Sequence, residues 1–86
     1  VRIAAYCHLY ACDHGMDLAQ PIYQQPVRSH GIEIERDVWL GAHVGVKDGI
    51  KIGAHAVVGM HSMVTKDIES RAIVAGNPAR LIRYRD

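Results

Sequence analysis

Six of the 86 residues are histidines, at positions 8, 14, 30, 43, 55 and 61. Imidazole, with an ordinary pKa of about 6.5, is the side chain best suited to take up and release a proton at neutral pH, and it is a common metal ligand. His43 and His61 stand 18 apart, with His55 between them, which invites a metal reading. Histidine also tolerates the positive φ of a tight corner, however, and turn formation explains these three at less cost. His14 has different surroundings, in Asp13-His14-Gly15, at the start of a stretch that no repeat explains. His8 and His30 carry no assignable role. The other reactive groups are the thiols of Cys7 and Cys12, which read as reduced core thiols rather than a disulfide or half a metal site.

What positions these residues is a lattice of six. Ile34, Leu40, Val46, Ile52, Val58 and Val64 recur at every sixth position, and Ile32, Val38, Val44, Ile50, Ala56, Ser62 and Ile68 lead them by two. In a triplet such as Val38-Trp39-Leu40 the outer residues share one face and the middle one opposes them, as alternating strand side chains must. Each triplet is one short strand. Gly41-Ala42-His43, Lys47-Asp48-Gly49, Gly53-Ala54-His55, Gly59-Met60-His61 and Thr65-Lys66-Asp67 are the corners between strands. Three strands and three corners close an 18-residue coil, and coils stack about 4.8 Å apart. Helical spacing of 3.6 does not fit steps of two and four. The fold class is therefore all-β, a hexapeptide-repeat β-helix.

Stacking at 18 sets Trp39 over Val57, Gly45 over Met63 and Glu33 over Lys51. Two walls are then apolar outside and one is charged. Apolar outer walls call for burial against other subunits or a ligand, and a cyclic trimer is the expected assembly. The net charge of +1 and dispersed basic residues give no nucleic-acid footprint, and no apolar stretch is long enough to span a bilayer. The reduced thiols fit a cytoplasmic setting.

The chain reads as the C-terminal part of a single repeat domain, 1–86, because the lattice is already running at Val1. Residues 1–12 end one coil, and residues 32–69 make two more. Between them, 13–31 is an extruded loop with Pro21, Gln24-Gln25-Pro26 and Ser29-His30-Gly31; loops of that length are commonly functional. The tail, 70–86, is expected to end in a short helix that caps the prism, with Asn77 as N-cap, Pro78 at the first helical position, Leu81 and Ile82 facing inward, and Arg80 and Arg83 on a shared face.

Asp13-His14-Gly15, Val38-Trp39-Leu40-Gly41, Val64-Thr65-Lys66-Asp67-Ile68 and Ile73-Val74-Ala75-Gly76-Asn77-Pro78-Ala79-Arg80 together resemble the hexapeptide-repeat acetyltransferases, above all the sugar O-acetyltransferases of galactoside, maltose and colanic-acid or O-antigen type. The resemblance implies a left-handed parallel β-helix, a homotrimer, and clefts between subunits that bind acetyl-CoA. It also implies an acetyl-CoA-dependent O-acetyltransferase acting on a sugar or glycan hydroxyl, as in polysaccharide biosynthesis. In the resembling enzymes, a histidine in the loop before the Val-Trp strand is the general base, which here is His14. Asp13 and Asp17 are the carboxylates that could orient its imidazole, although neighbours in sequence often point apart, and Asp17 is assigned with Trp39 to the cleft. By the same match Ala42 and Met60 contact the pantetheine arm through backbone groups, and Thr65, Lys66, Arg80 and Arg83 lie nearer the nucleotide.

Trp39 is outward and lines the cleft or packs between subunits. Lys66 sits one coil above Asp48, so a surface ion pair competes with its ligand role. No metal is expected for the acetyltransferase. Two other readings share the lattice: a trimeric metal hydratase of γ-carbonic-anhydrase type with intersubunit histidines, and a non-catalytic scaffold or fragment.

Overall fold

The computed structural model describes all 86 residues. Its strands are short: β1 (Arg2–Ile3), β2 (His8–Leu9), β3 (Asp13–His14), β4 (Val27–Arg28), β5 (Glu33–Ile34), β6 (Trp39–Leu40), β7 (Gly45–Val46), β8 (Lys51–Ile52), β9 (Val57–Val58), β10 (Met63–Val64), β11 (Ala72–Gly76) and β12 (Ala79–Tyr84). They stack into three walls. The first wall runs β1-β6-β9-β11-β12, the second β2-β7-β10, and the third β5-β8 with a bridge to Ile68.

The stacking offsets carry the lattice directly. Trp39 pairs with Val57, Gly45 with Met63 and Glu33 with Lys51, each 18 apart. The apolar lattice points inward: Val38, Leu40, Val44, Val46, Ile52, Val58 and Val64 are essentially inaccessible. The one hydroxyl in the series, Ser62, is also buried, and its Oγ accepts the Gly76 N–H at 3.0 Å, which removes the cost of an unpaired polar group.

The offset departs from 18 twice. Arg2 pairs with Trp39 and His8 with Gly45, 37 apart, so the first coil holds nineteen additional residues. At the far end Ile52 pairs with Ile68 and Val57 with Ile73, 16 apart, so the coil expected over 52–69 is two residues short. The Thr65-Lys66-Asp67 corner absorbs the deletion. Asp67 Oδ1 accepts the Lys51 N–H at 2.8 Å, and Ile68 slides under Ile52, where an unshifted lattice would set Ser70.

The third residue of most corners is left-handed: His43 (φ 60°), His55 (67°) and His61 (61°), joined by Tyr6, Asp37 and Arg71. Such a conformation costs a non-glycine residue about 1–2 kcal/mol. Hydrogen bonds between coils offset it: His61 N–H donates to Ala42 O, His55 N–H to Arg36 O and Arg71 N–H to Ala54 O, at 2.8–3.0 Å. Histidine at corners is thus explained by backbone shape, as the spacing implies.

The expected C-terminal helix is not formed. The chain reverses at Gly76-Asn77-Pro78, and β12 runs antiparallel to β11. A helix would leave the outer edge of β11 without partners, whereas β12 satisfies that edge along its whole length. Ala79, Leu81 and Tyr84 face a hollow of about 180 Å3 at the mouth of the prism, with Ile68, Ala72 and Val74, while Ile82 is exposed rather than inward. Arg83 opposes Ile73 and Leu81 opposes Val74, so a bulge at Ile82 shifts the alternation by one. Because Arg80 opposes Ala75, that bulge puts Arg80 and Arg83 on the same outward face, three residues apart in a strand.

Candidate active site

The outward side of the first wall is a line of paired residues, Arg2, Trp39, Val57, Ile73 and Arg83. They line a groove of about 510 Å3, with Asp37 and Arg85 at its border. Trp39 is 55% exposed within it. A flat indole, an aliphatic floor and guanidinium groups can together hold a ligand that is part ring and part anion.

At the edge between the first and second walls, Gly41-Ala42-His43 stacks on Gly59-Met60-His61. Gly59 N–H donates to Val74 O, and a Cβ at Gly59 would meet Ala75, so Ala75 and Gly76 continue the column. The rings of Tyr6, His43 and His61 stack outside it, with centroids 4.9 and 4.7 Å apart. Parallel rings at that distance stack rather than converge on an ion, and no group of three or more His, Cys, Asp or Glu in the chain could hold one. The N–H groups of Ala42 and Met60 have no backbone acceptor in the chain, and Met60 is exposed.

His14 lies elsewhere, on the nineteen-residue arm that leaves the edge between the second and third walls. It is exposed in β3, opposite Val27 of β4, and the arm closes through a 3-10 turn at Ile22–Gln24. The arm's return is fixed by Asp48. That carboxylate, 2% exposed, accepts the His30 N–H at 2.9 Å and the Gly31 N–H at 2.8 Å, and its Oδ2 lies 3.3 Å from His30 Nδ1. The backbone bond from His30, the larger effect, and that from Gly31 hold the Asp48 carboxyl below the usual carboxylate range.

The structure brings Trp39, Arg80, Arg83, Ala42 and Met60 to one wall and its edge, and puts Thr65, Lys66 and His14 at the next edge. Several expectations need correction. Asp17 does not hold the His14 ring within the chain: its Oδ1 accepts the Ala19 N–H at 2.9 Å in a local turn. Lys66 forms no pair with Asp48, which is committed to the arm. Cys7 is partly buried and its thiol donates to Gly41 O, but Cys12 is exposed at the root of the arm and is no core thiol.

Sequence reading also missed Arg2 and Arg85 as groove residues. Arg85 comes from the tail, where its Nη1 reaches Asp37 Oδ2 at 3.2 Å and His55 O at 3.1 Å. Asp37 also pairs with His55 Nδ1 at 2.7 Å; the His55 bond and then Arg85 hold its carboxyl below the ordinary range. Contacts so distant in sequence leave no local signal.

Residues 31–66 match the family described as bacterial transferase hexapeptide (six repeats). A chloramphenicol acetyltransferase of Klebsiella aerogenes is 56% identical over 52 residues, 60% of this chain and 25% of that protein. The solved maltose O-acetyltransferase of Clostridium difficile 630 superposes with a TM-score of 0.91 at 31% identity, over 98% of this chain and 44% of that one. A galactoside acetyltransferase in complex with coenzyme A gives 0.80 at 32%, over 95% and 44%. The chain thus spans about a quarter of the length of the curated relatives it matches. With these neighbours the fold is an all-β left-handed β-helix. No helix is long and apolar enough to cross a membrane.

Proposed function

From its likeness to the hexapeptide-repeat acetyltransferases, the galactoside and maltose O-acetyltransferases among them, we propose that the whole protein is an acetyl-CoA-dependent O-acetyltransferase with His14 as general base. The observation that carries the reading is the shared face of Arg80 and Arg83 beside the Ala42–Met60 edge. Coenzyme A is an anionic nucleotide joined to a neutral amide-bearing arm, and these residues match both halves. Free N–H groups at Ala42 and Met60 suit the pantetheine carbonyls, while two guanidinium groups suit phosphates. Thr65 and Lys66, one edge away, reach such a ligand from a neighbouring subunit.

That division of residues between two edges supports a homotrimer, in which one chain's first edge faces the next chain's arm. Trp39, Val57 and Ile73 would line the crevice, and residues 1–86 would be the C-terminal part of the domain. Transfer is direct: the acceptor oxygen attacks the thioester carbonyl, His14 takes the hydroxyl proton, and the CoA thiolate departs and is protonated. The acceptor is a hydroxyl compound of the sugar or glycan kind; the chloramphenicol acetyltransferase relatives make a drug-like alcohol the competing acceptor. Two unpaired cysteines and an acetyl-CoA requirement suit the cytoplasm.

The test is acetyl transfer by the intact protein to a panel of saccharides and chloramphenicol. His14→Ala should lower kcat about 10²- to 10⁴-fold with assembly unchanged. Full activity in that variant would remove His14 from the mechanism.

A further inference from the structure

The arm that carries His14 has one buried residue, Gln25, at 8% exposure; nearly every other residue from Asp13 to His30 is exposed. Its amide is fully used. Nε2 donates to Asp17 O at 2.8 Å and to Gln20 O at 2.9 Å, and Oε1 accepts the Asp17 N–H at 3.0 Å. Two acceptors on one side and one donor on the other fix which way the amide points, and they require a side chain that both donates and accepts. Glutamate has the length but would face two carbonyls with a carboxylate oxygen. Asparagine is one methylene short.

Gln25 also touches the residue beside His14. A Cβ at Gly15 would lie 2.5 Å from Gln25 Oε1 and 3.2 Å from its Cβ, so Gly15 is small because the amide occupies that space. Gly15 N–H donates to Pro26 O at 3.3 Å, one residue past Gln25. The β3–β4 pairing thus ends on a plug made of a single amide. Without it the loop from Gly15 to Gln24 keeps the Gly15–Pro26 bond, the turn at Pro21–Gln25, the Asp17–Ala19 bond and an exposed Gln24–Tyr23 bond.

We infer that Gln25 is a positioning residue for catalysis: its buried amide locks the arm into the one conformation that presents His14. The inference rests on His14 as base. Misplacement of a reacting group by about 1 Å can cost on the order of 100-fold in rate, so the effect should fall on turnover rather than on binding of acetyl-CoA.

The experiment uses the intact protein with Gln25→Glu, Gln25→Met and Gly15→Ala, beside His14→Ala as reference. Expected are a fall in kcat of about 10- to 100-fold in all three, KM for acetyl-CoA within about twofold, unchanged assembly and melting temperature, and faster hydrogen exchange at the Asp17 amide. Unchanged kcat with the Asp17 amide deprotected would overturn the inference. So would a loss of activity matched by loss of assembly, which would mark Gln25 as a folding residue. If His14→Ala is fully active, the base assignment fails on its own; if it is inactive while the Gln25 variants are normal, only the role of Gln25 fails.

Discussion

Coils and arm are held together by opposite means. In the coils, stability comes mainly from repeated inward aliphatics and a backbone ladder that most triplets make the same way. In the arm a single amide, Gln25, and a single carboxylate, Asp48, each make bonds that no other residue type in that place would reproduce. Repetition builds a scaffold cheaply, but a proton-transfer group needs one specified position, and that comes from side chains that do not repeat.

The sharpest break between the two regions is expected from paired variants. His14→Ala should cost two to four orders of magnitude in kcat and leave the melting temperature alone, while Leu40→Ala, at a fully buried lattice position, should cost about 2–5 kcal/mol of stability by cavity formation. Denaturant melts and steady-state kinetics on both variants check the crossing pattern. Next in size, Gly53→Ala places a Cβ 2.5 Å from the Ser70 backbone N at the shortened coil, and should destabilise by about 1–3 kcal/mol in the same melts.

Smaller is the effect of Arg80→Ala or Arg83→Ala. Each should raise KM for acetyl-CoA about tenfold with kcat little changed, as loss of one charge-assisted contact to phosphate would. Smallest is the pH response of the arm root. Asp48 has a lowered carboxyl pKa when folded, so its contribution is complete above the ordinary value of 3.8 and is lost as pH falls through the lower folded value. Proteolysis between residues 13 and 31 should therefore quicken only below pH 3.8, with no change in milder acid, and Asp48→Ala should show that nicking at neutral pH.

Legibility in the sequence follows the same division. Trp39 over Val57 and Glu33 over Lys51 could be read in advance because an 18-residue period makes distant partners computable from local pattern. The period failed where it was interrupted, at the Thr65-Lys66-Asp67 corner, where the coil is two residues short and the Asp67 carboxylate accepts the Lys51 N–H. Asn77-Pro78 carries a helix-start signal that tertiary context overrode, since the open edge of β11 offers a full set of backbone partners. Arg80 and Arg83 nonetheless share a face, by way of a bulge at Ile82 rather than a helical turn. Gln25 was invisible because a glutamine between Gln24 and Pro26 in a polar loop gives no sign that its amide is buried.

The most direct test of acyl transfer from a groove served by the arm is release of free thiol from acetyl-CoA by the intact protein, with and without a hydroxyl acceptor, in wild type and His14→Ala. The account predicts release that depends on the acceptor in the wild type and falls at least about 100-fold in the variant, with the same assembly in both. Acceptor-dependent release at equal rates in the two proteins would contradict it.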